Sequence, residues 1–267
     1  MTDFAPHVNM ALRQIIESER FNPDEFRHRK LTLSQSFCLL WQNPKTGEVP
    51  GRMVDEVLHI TAVAAVLLDL MVLEKIALQS EKESFITRTF SPTSREIIVK
   101  VIDRNRTSTY LDECLFNRIL MCDKEDSVNE WMVKTMGLPS QVLCTLLNSL
   151  IKIGILEKEQ RKFDPRYHTL NPEPQKELYK EVQMIALQGL VPDSYMWSLL
   201  KLARTCDAFE ASTAPILNHQ FDYKDNSTAL ANIDKLFMME ESRSTLKEKK
   251  YKRQTGSFDD LFKLGSL

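Results

Sequence analysis

The segment LPSQVLCTLLNSLIKIGILEKEQRKFDPRYHTL, residues 138–170, carries the clearest structural signal in this chain. Apolar residues recur at helical spacing along one face of its first half. They are Leu143, Leu146, Leu147, Leu150 and Ile151. Gly154 follows and can close a helix in the left-handed conformation. Ile155 begins a short strand, residues 157–162 form a charged tip, and residues 166–170 can return as the second strand. Helix, glycine and basic hairpin together are typical of a winged-helix-like unit, which recognises a partner or packs as a module.

Composition limits the classes of function. The chain has 267 residues, of which 43% are apolar and 27% charged, with a formal net charge of −2. That size and apolar content suit a packed globule. No overall positive field attracts nucleic acid, and the predicted helix from Pro139 to Ile151 contains no Arg or Lys to contact phosphates or bases. We therefore expect no nucleic-acid partner.

The sequence contains no recognisable catalytic or metal-binding motif. Nucleophile elbows, phosphate loops and paired-histidine zinc motifs are missing, and only seven glycines are present. The five histidines lack metal-ligand spacing, and the five cysteines are scattered and odd in number, as expected of free thiols in a reducing compartment. We therefore predict no catalytic residues, no metal and no cofactor, and a protein that is not an enzyme.

The most apolar run, from Val57 to Leu73, is interrupted by His59, Thr61 and Asp69. A membrane-spanning helix needs about 20 mostly apolar residues without a buried charge. The run therefore predicts a buried core helix of a soluble protein. For Asp69, a satisfied buried hydrogen bond is favoured over a functional role.

The whole pattern predicts a mostly α fold, a single compact globular domain with short β-hairpins and winged-helix-like elements. Residues 1–30 are read as an N-terminal extension with one helix from Met10 to Arg20. Residues 31–241 form the helical domain, in which the order of elements at 31–102 roughly repeats that at 138–170. Residues 242–267 are predicted to be a disordered tail, first basic and then acidic-apolar.

The order of several segments resembles the Golgi phosphoprotein 3 family across residues 31–240. The segments are LTLSQSFCLLWQNPKTGEV, LLDLMVLEKIAL, LDECLFNRIL, LIKIGILEKEQRKF, NPEPQKELYKEVQMIALQG and LLKLARTCDAFEASTAPIL. The resemblance implies a mostly helical, non-enzymatic adaptor in the cytosol and on the cytoplasmic face of Golgi membranes. It also implies binding to phosphatidylinositol 4-phosphate, to glycosyltransferase cytosolic tails and to the COPI coat, as well as homo-oligomers.

The resemblance also shows where this chain departs from the family. The family's headgroup pocket uses one Trp and three Arg, and the matching positions here hold Val54, Val63, Ser140 and Leu143. The arginine cluster that recruits coat before the family domain is missing as well.

Other residues are therefore candidates for these roles. The candidates for headgroup contact are Arg52, His59, Arg161 and Lys162, and those for an inserting or self-associating hairpin tip are Phe163 and Tyr167. The alternative is a winged-helix-type protein-interaction subunit of a cytosolic complex that binds no lipid.

The C-terminal tail carries a candidate docking peptide. Phe258, Leu261 and Phe262 flank two acidic residues, after a basic block from Lys247 to Arg253. Apolar side chains with acidic neighbours suit a short peptide that docks into a groove. The alternative is a tail helix that packs on its own domain.

We predict that truncation before Ser242 leaves the melting temperature unchanged and abolishes binding to one protein partner, for which vesicle coat or adaptor machinery is the first candidate. Thermal unfolding of the truncated and full chains measures the first effect, and affinity capture with each chain measures the second. A fall of several degrees in melting temperature would show that the tail packs on the domain.

Overall fold

The computed structural model describes residues 4–50, 55–80, 96–136, 139–161, 165–208 and 216–239. It is 62% helical, and the predicted mostly α fold with short hairpins is confirmed. The helices are α1 (Ala5–Ile16), α2 (Pro23–Arg27), α3 (Leu33–Trp41), α4 (Glu56–Val72), α5 (110–121), α6 (Val128–Met136), α7 (Pro139–Lys152), α8 (Glu173–Gln188), α9 (Ser194–Asp207) and α10 (223–239). Within α5, Asp112–Phe116 is π-helical, and a 3-10 turn at Leu217–Gln220 precedes α10. Strands β1 (Ile76–Ser80) and β2 (Ile97–Val101) form one antiparallel hairpin, and β3 (Leu156–Glu159) and β4 (Arg166–Thr169) form the other.

Helix α4 lies at the centre of the molecule. It begins at the cap residue Asp55, whose carboxylate accepts a hydrogen bond from the Leu58 backbone N–H at 3.1 Å. Between Val57 and Val72 every side chain is buried except Met71, which is half-buried. Helices α1, α2, α3, α5, α6, α7 and α9 all contact it. The predicted buried core helix is confirmed, except that the helix ends at Val72 and Leu73 is 42% exposed.

The N-terminal segment is part of the same core. Helix α1 begins at Ala5, not at the predicted Met10, because Pro6 occupies the first turn, where its missing N–H costs no hydrogen bond. Val8, Leu12 and Ile15 on its inner face are fully buried, and α1 contacts α4, α6 and α9. The segment read as an extension thus contributes a helix to the domain core.

The two hairpins are closed in the same way. Glu74 follows α4 and Gly154 follows α7, and both have left-handed backbones, with φ of 58° and 75°. The next residue in each case donates its N–H to the carbonyl five residues earlier, Lys75 to Leu70 and Ile155 to Leu150, both at 3.0 Å. This is the Schellman arrangement that ends helices. The weak repeat seen in the sequence is therefore a clear repeat in the backbone.

Asp69 is the buried polar residue of α4, and it holds the start of α3. Its two carboxylate oxygens accept hydrogen bonds from the backbone N–H groups of Leu33, at 2.8 Å, and Ser34, at 2.9 Å. These are donors of the first helical turn, which have no partner within the helix. The expectation of a satisfied buried hydrogen bond is confirmed. Burial raises the pKa of Asp69 to about 6, against these hydrogen bonds.

We predict that Asp69→Ala destabilises the protein by about 2–4 kcal/mol near pH 4.5, because two buried N–H groups lose their acceptors. Urea denaturation measures the change in the free energy of unfolding. Asp123→Ala is the matched control, since Asp123 is exposed, and it is expected to change stability by less than about 0.5 kcal/mol.

The loss of stability caused by Asp69→Ala should also depend on pH. The folded-state pKa of Asp69 lies above its ordinary value of 3.8, so the folded protein holds this proton more tightly than the unfolded chain does. The resulting stabilisation is complete below that ordinary value and is lost as pH rises through about 6. The cost of Asp69→Ala should therefore be smaller at neutral pH. An equal or larger cost there would contradict the assigned pKa.

Candidate functional site

A tight turn at residues 43–50 connects α3 to the segment before α4. The Asn43 carbonyl accepts from the Gly47 N–H, and the Asn43 N–H donates to the Glu48 carbonyl, both at 2.8 Å. Gly47 has φ of +70°, a conformation that favours glycine. The turn therefore has a fixed shape and carries the chain back towards α4.

Strand β4 lies directly on this turn. The Tyr167 N–H donates to the Gly47 carbonyl at 2.7 Å, and the Gln42 side-chain amide donates to the Tyr167 carbonyl at 2.7 Å. Arg166 donates to the Thr46 carbonyl at 2.8 Å and to the Glu48 carboxylate at 2.6 Å. We call residues 43–50 together with β3 and β4 the turn–hairpin face. It brings together segments that are more than 100 residues apart in the sequence.

His59 lies in the first turns of α4 and was a candidate for headgroup contact. Its side chain is 4% exposed, and its ring meets Trp41 edge to face at 6.3 Å between centroids. The Trp41 indole N–H in turn donates to the Pro50 carbonyl at 2.7 Å. The assignment of His59 to a surface site is therefore wrong, because the residue packs in the core against the aromatic ring that supports the turn.

Tyr167 was a candidate for the inserting or self-associating hairpin tip. It is 1% exposed and belongs to the largest fully buried side chains of the described structure. The assignment is wrong because β4 directs this side chain into the domain, while its backbone binds the turn. A buried tyrosine here stabilises the junction between hairpin and turn.

Arg161 remains at the surface but its charge is compensated. Its guanidinium lies 3.0 Å from the Glu159 carboxylate, which also contacts His168 Nε2 at 2.8 Å. Arg161 first, and then His168, lower the pKa of Glu159 to about 2. Glu157, Lys158, Glu159 and Arg161, the exposed charged residues at the end of β3, sum to zero charge. The described part of the hairpin is therefore not a basic patch.

Several predicted site residues lie outside the described residues. They are Arg52, Lys162, Phe163, Phe258, Leu261 and Phe262. Of the four positions at which the resemblance implies headgroup-binding residues, Val63 and Leu143 are each 1% exposed. Apolar core packing thus occupies two of these four positions.

Sequence reasoning missed the residues that build this face, above all Gly47 and Arg166. The sequence indicates a turn that contains Gly47, but β4, the strand that packs on this turn, is distant in the sequence. Among the described residues no cluster of His, Cys, Asp or Glu could hold a metal ion. Searched over the same residues, none of the helices has the length and apolarity needed to cross a membrane.

The contact between turn and strand yields a prediction about Gly47. A Cβ at this position would lie 2.9 Å from His168 Nδ1, closer than real Cβ contacts come, and 3.2 Å from the Tyr167 carbonyl carbon, which is a tight contact. We predict that Gly47→Ala destabilises the protein by about 2 kcal/mol or more, through left-handed strain of about 1–2 kcal/mol and this overlap. Chemical denaturation measures the effect.

Gly189→Ala is the matched control for that variant. Gly189 has nearly the same φ, +73°, but nothing lies within 4 Å of its added Cβ. The control should therefore show the conformational cost alone. Equal losses in the two variants would show that strand and turn are not in tight contact.

Comparison with known proteins supports the architecture described above. The family model for Golgi phosphoprotein 3 (GPP34) matches residues 33–240, which is well over half of the chain. A search among curated proteins found no significant match. The matched range begins at α3 and ends just after α10, so it includes α4, both hairpins and the turn–hairpin face. The chain belongs to the Golgi phosphoprotein 3 family.

Proposed function

We propose that the protein is a non-enzymatic peripheral adaptor that works on the cytoplasmic face of Golgi membranes. Membership of the Golgi phosphoprotein 3 family over residues 33–240 is the observation that carries this proposal. The proposed activity is weak binding to phosphatidylinositol 4-phosphate-containing membrane, combined with binding to glycosyltransferase cytosolic tails and the COPI coat. Self-association into homo-oligomers belongs to the same proposal.

The turn–hairpin face is the part of the domain that we propose to meet the membrane. Arg161 is exposed there, and Lys162 and Phe163 continue the same connection between β3 and β4. Arg52 follows the turn that β4 contacts. His59 and Tyr167 do not take part in direct contact because both are buried. Headgroup binding would thus depend on a few basic residues, namely Arg161 with Arg52 and Lys162.

The balance of charge predicts weak, salt-sensitive adsorption. Each basic residue near an anionic membrane surface contributes on the order of 1 kcal/mol. Glu159 neutralises part of the field of Arg161, from 3.0 Å. The total for Arg52, Arg161 and Lys162 is therefore small, and added salt should reduce it further.

We predict that the double variant Arg161→Glu and Lys162→Glu reduces sedimentation with phosphatidylinositol 4-phosphate vesicles by about tenfold or more, since two attractions become repulsions. Lys180→Glu is the control, because Lys180 is exposed on α8, outside the turn–hairpin face. Tight binding that high salt does not weaken, or that the double variant retains, would contradict the proposed contact.

Localisation in cells tests the wider proposal. The tagged full chain should lie on Golgi membranes and leave them when phosphatidylinositol 4-phosphate is depleted. If the chain stays on the Golgi after depletion, the adaptor role remains supported and the proposed lipid contact is contradicted. A chain that never reaches the Golgi would contradict the adaptor role itself.

A second candidate function is that of a protein-interaction subunit that binds no lipid. The observation in its favour is that the exposed charges at the end of β3, Glu157, Lys158, Glu159 and Arg161, sum to zero, which suits a protein surface with charges of both signs better than an anionic membrane. Stable recovery of the chain in a cytosolic complex, together with no vesicle binding, would favour this function.

A further inference from the structure

Two threonines of this chain share one sequence context. The segments RHRKLT, residues 27–32, and RNRTST, residues 104–109, both place arginine five and three positions before a threonine. No other serine or threonine in the sequence has arginine at both distances. Protein kinases that select basic substrates bind these two arginines through carboxylates of their own, because a guanidinium and a carboxylate form paired, charge-assisted hydrogen bonds. The sequence therefore contains two candidate acceptors for such a kinase, Thr32 and Thr109.

The fold protects Thr32, which is half-buried at the start of α3. Its hydroxyl caps the helix and accepts a hydrogen bond from the Gln35 N–H at 3.3 Å. The next residue, Leu33, is fully buried, and its N–H is one of the two that Asp69 binds. A kinase could therefore reach this threonine only after the start of α3 had left the core.

The two arginines before Thr32 are also bound within the domain. Arg27 donates to the Glu74 carboxylate at 2.6 Å. Arg29 donates to both carboxylate oxygens of Glu181, at 2.7 and 2.9 Å. These contacts occupy the guanidinium groups that a kinase would have to bind. The first copy of the pattern therefore serves packing within the domain.

The second copy lies on the loop between β2 and α5, and here the same side chains are accessible. Arg104, Arg106 and Thr109 are all exposed. Arg104 donates to the Leu120 carbonyl at 3.1 Å, which engages one of its nitrogens. Neither arginine is ion-paired with any residue that the structure describes. Both guanidinium groups are therefore available to the carboxylates of a kinase.

The loop is held by contacts that are close in sequence. The Asp112 carboxylate accepts hydrogen bonds from the Thr107 and Ser108 backbone N–H groups, both at 2.9 Å. Because kinases bind an acceptor segment in an extended form, these bonds must open, together with the first turn of α5, where Tyr110 is half-buried. Opening of an exposed loop and a helix end costs less than opening of the core. The structure thus favours Thr109 over Thr32.

We propose that Thr109 is a phosphorylation site for an arginine-directed protein kinase, and that folding protects Thr32 from the same enzyme. The hydroxyl oxygen of Thr109 forms a bond to the γ-phosphorus of ATP while the bond between that phosphorus and ADP breaks. The hydroxyl proton passes to the catalytic base of the kinase. Thr109 lies outside the turn–hairpin face, so the proposal does not depend on the membrane contact.

Phosphorylation would change the charge of a surface cleft. Thr109 lines a cleft of about 750 Å³ together with Arg106, Lys152, Asp112 and Glu113, whose formal charges sum to zero. A phosphothreonine adds a charge of about −1.5 to −2 at neutral pH. Arg106 can bind two of its oxygens, whereas the two carboxylates repel it. The modified cleft would therefore be acidic.

The test uses the folded full chain with Mg-ATP and recombinant protein kinase B, which selects arginine at both distances. Synthetic peptides of residues 27–35 and 104–112 show whether each sequence is a substrate when no fold protects it. Fragment mass spectrometry gives the modified position and its rate. We expect phosphorylation of both peptides. In the full chain we expect Thr109 to be modified at least about tenfold faster than Thr32, because Thr32 requires opening of the core.

Variants of the loop test which groups the kinase reads. Arg106→Gln should slow phosphorylation of Thr109 by about tenfold, since one charge-assisted contact with the kinase is lost. Lys180→Gln is the matched control, because Lys180 is exposed on α8, outside the loop, and it should be modified at the wild-type rate. Thr109→Val should abolish modification at this position. Thr109→Ser keeps the hydroxyl and should remain a substrate.

Three results would overturn the proposal. Phosphorylation of the 104–112 peptide without modification of Thr109 in the folded chain would mean that the loop does not open to the kinase. Failure of that peptide as a substrate, or modification of Arg106→Gln as fast as the control, would mean that the arginines are not recognised. Modification of Thr32 as fast as Thr109 in the folded chain would contradict the protection by α3.

Discussion

The rest of the structure depends on the requirement that α4 be covered on every side. Its side chains from Val57 to Leu70 are all buried, so no face of the helix can lie against water. Burial of apolar surface stabilises the folded state by about 25 cal/mol per Å². A helix that is apolar on all sides gains this stabilisation in full only if neighbouring elements surround it. This explains why α1, α2 and α9, from the two ends of the described chain, pack around the same helix as α3 and α7.

A single carboxylate makes that arrangement specific. A purely apolar helix could rotate or slide against its neighbours at little cost, but Asp69 must point at the two N–H groups that begin α3. A second set of polar contacts holds the same end of α3, where the Tyr195 hydroxyl on α9 donates to the Leu31 carbonyl at 3.2 Å and lies 2.5 Å from Ser36 Oγ. Buried polar groups are costly when unpaired, so this set of contacts allows one relative placement of α3, α4 and α9.

The fold could be predicted largely from local patterns, and the site only in part. The buried helix α4, the glycine end of α7 and the hairpins follow from apolar periodicity and turn residues, which act over a few positions. Tyr167 shows the limit of that approach. Its neighbours in sequence are charged, so it was read as part of an exposed tip, whereas a contact with Gly47, 120 positions earlier, decides its burial.

The two hairpins are closed by the same pattern of hydrogen bonds, so the chain contains one helix–hairpin arrangement twice. In both copies the residue after the left-handed position also accepts from the strand's end, Lys75 from Ile102 and Ile155 from Leu170, each at 2.9 Å. Each module is completed by hydrogen bonds that are close in sequence, so either could form early in folding without the other. Among the residues that the structure describes, the second hairpin is the one whose strand hydrogen-bonds to the turn before α4. The first hairpin is held elsewhere, since the Val99 N–H donates to the Asp126 carbonyl at 3.0 Å, so one way of closing a helix serves two hairpins that dock on different parts of the domain.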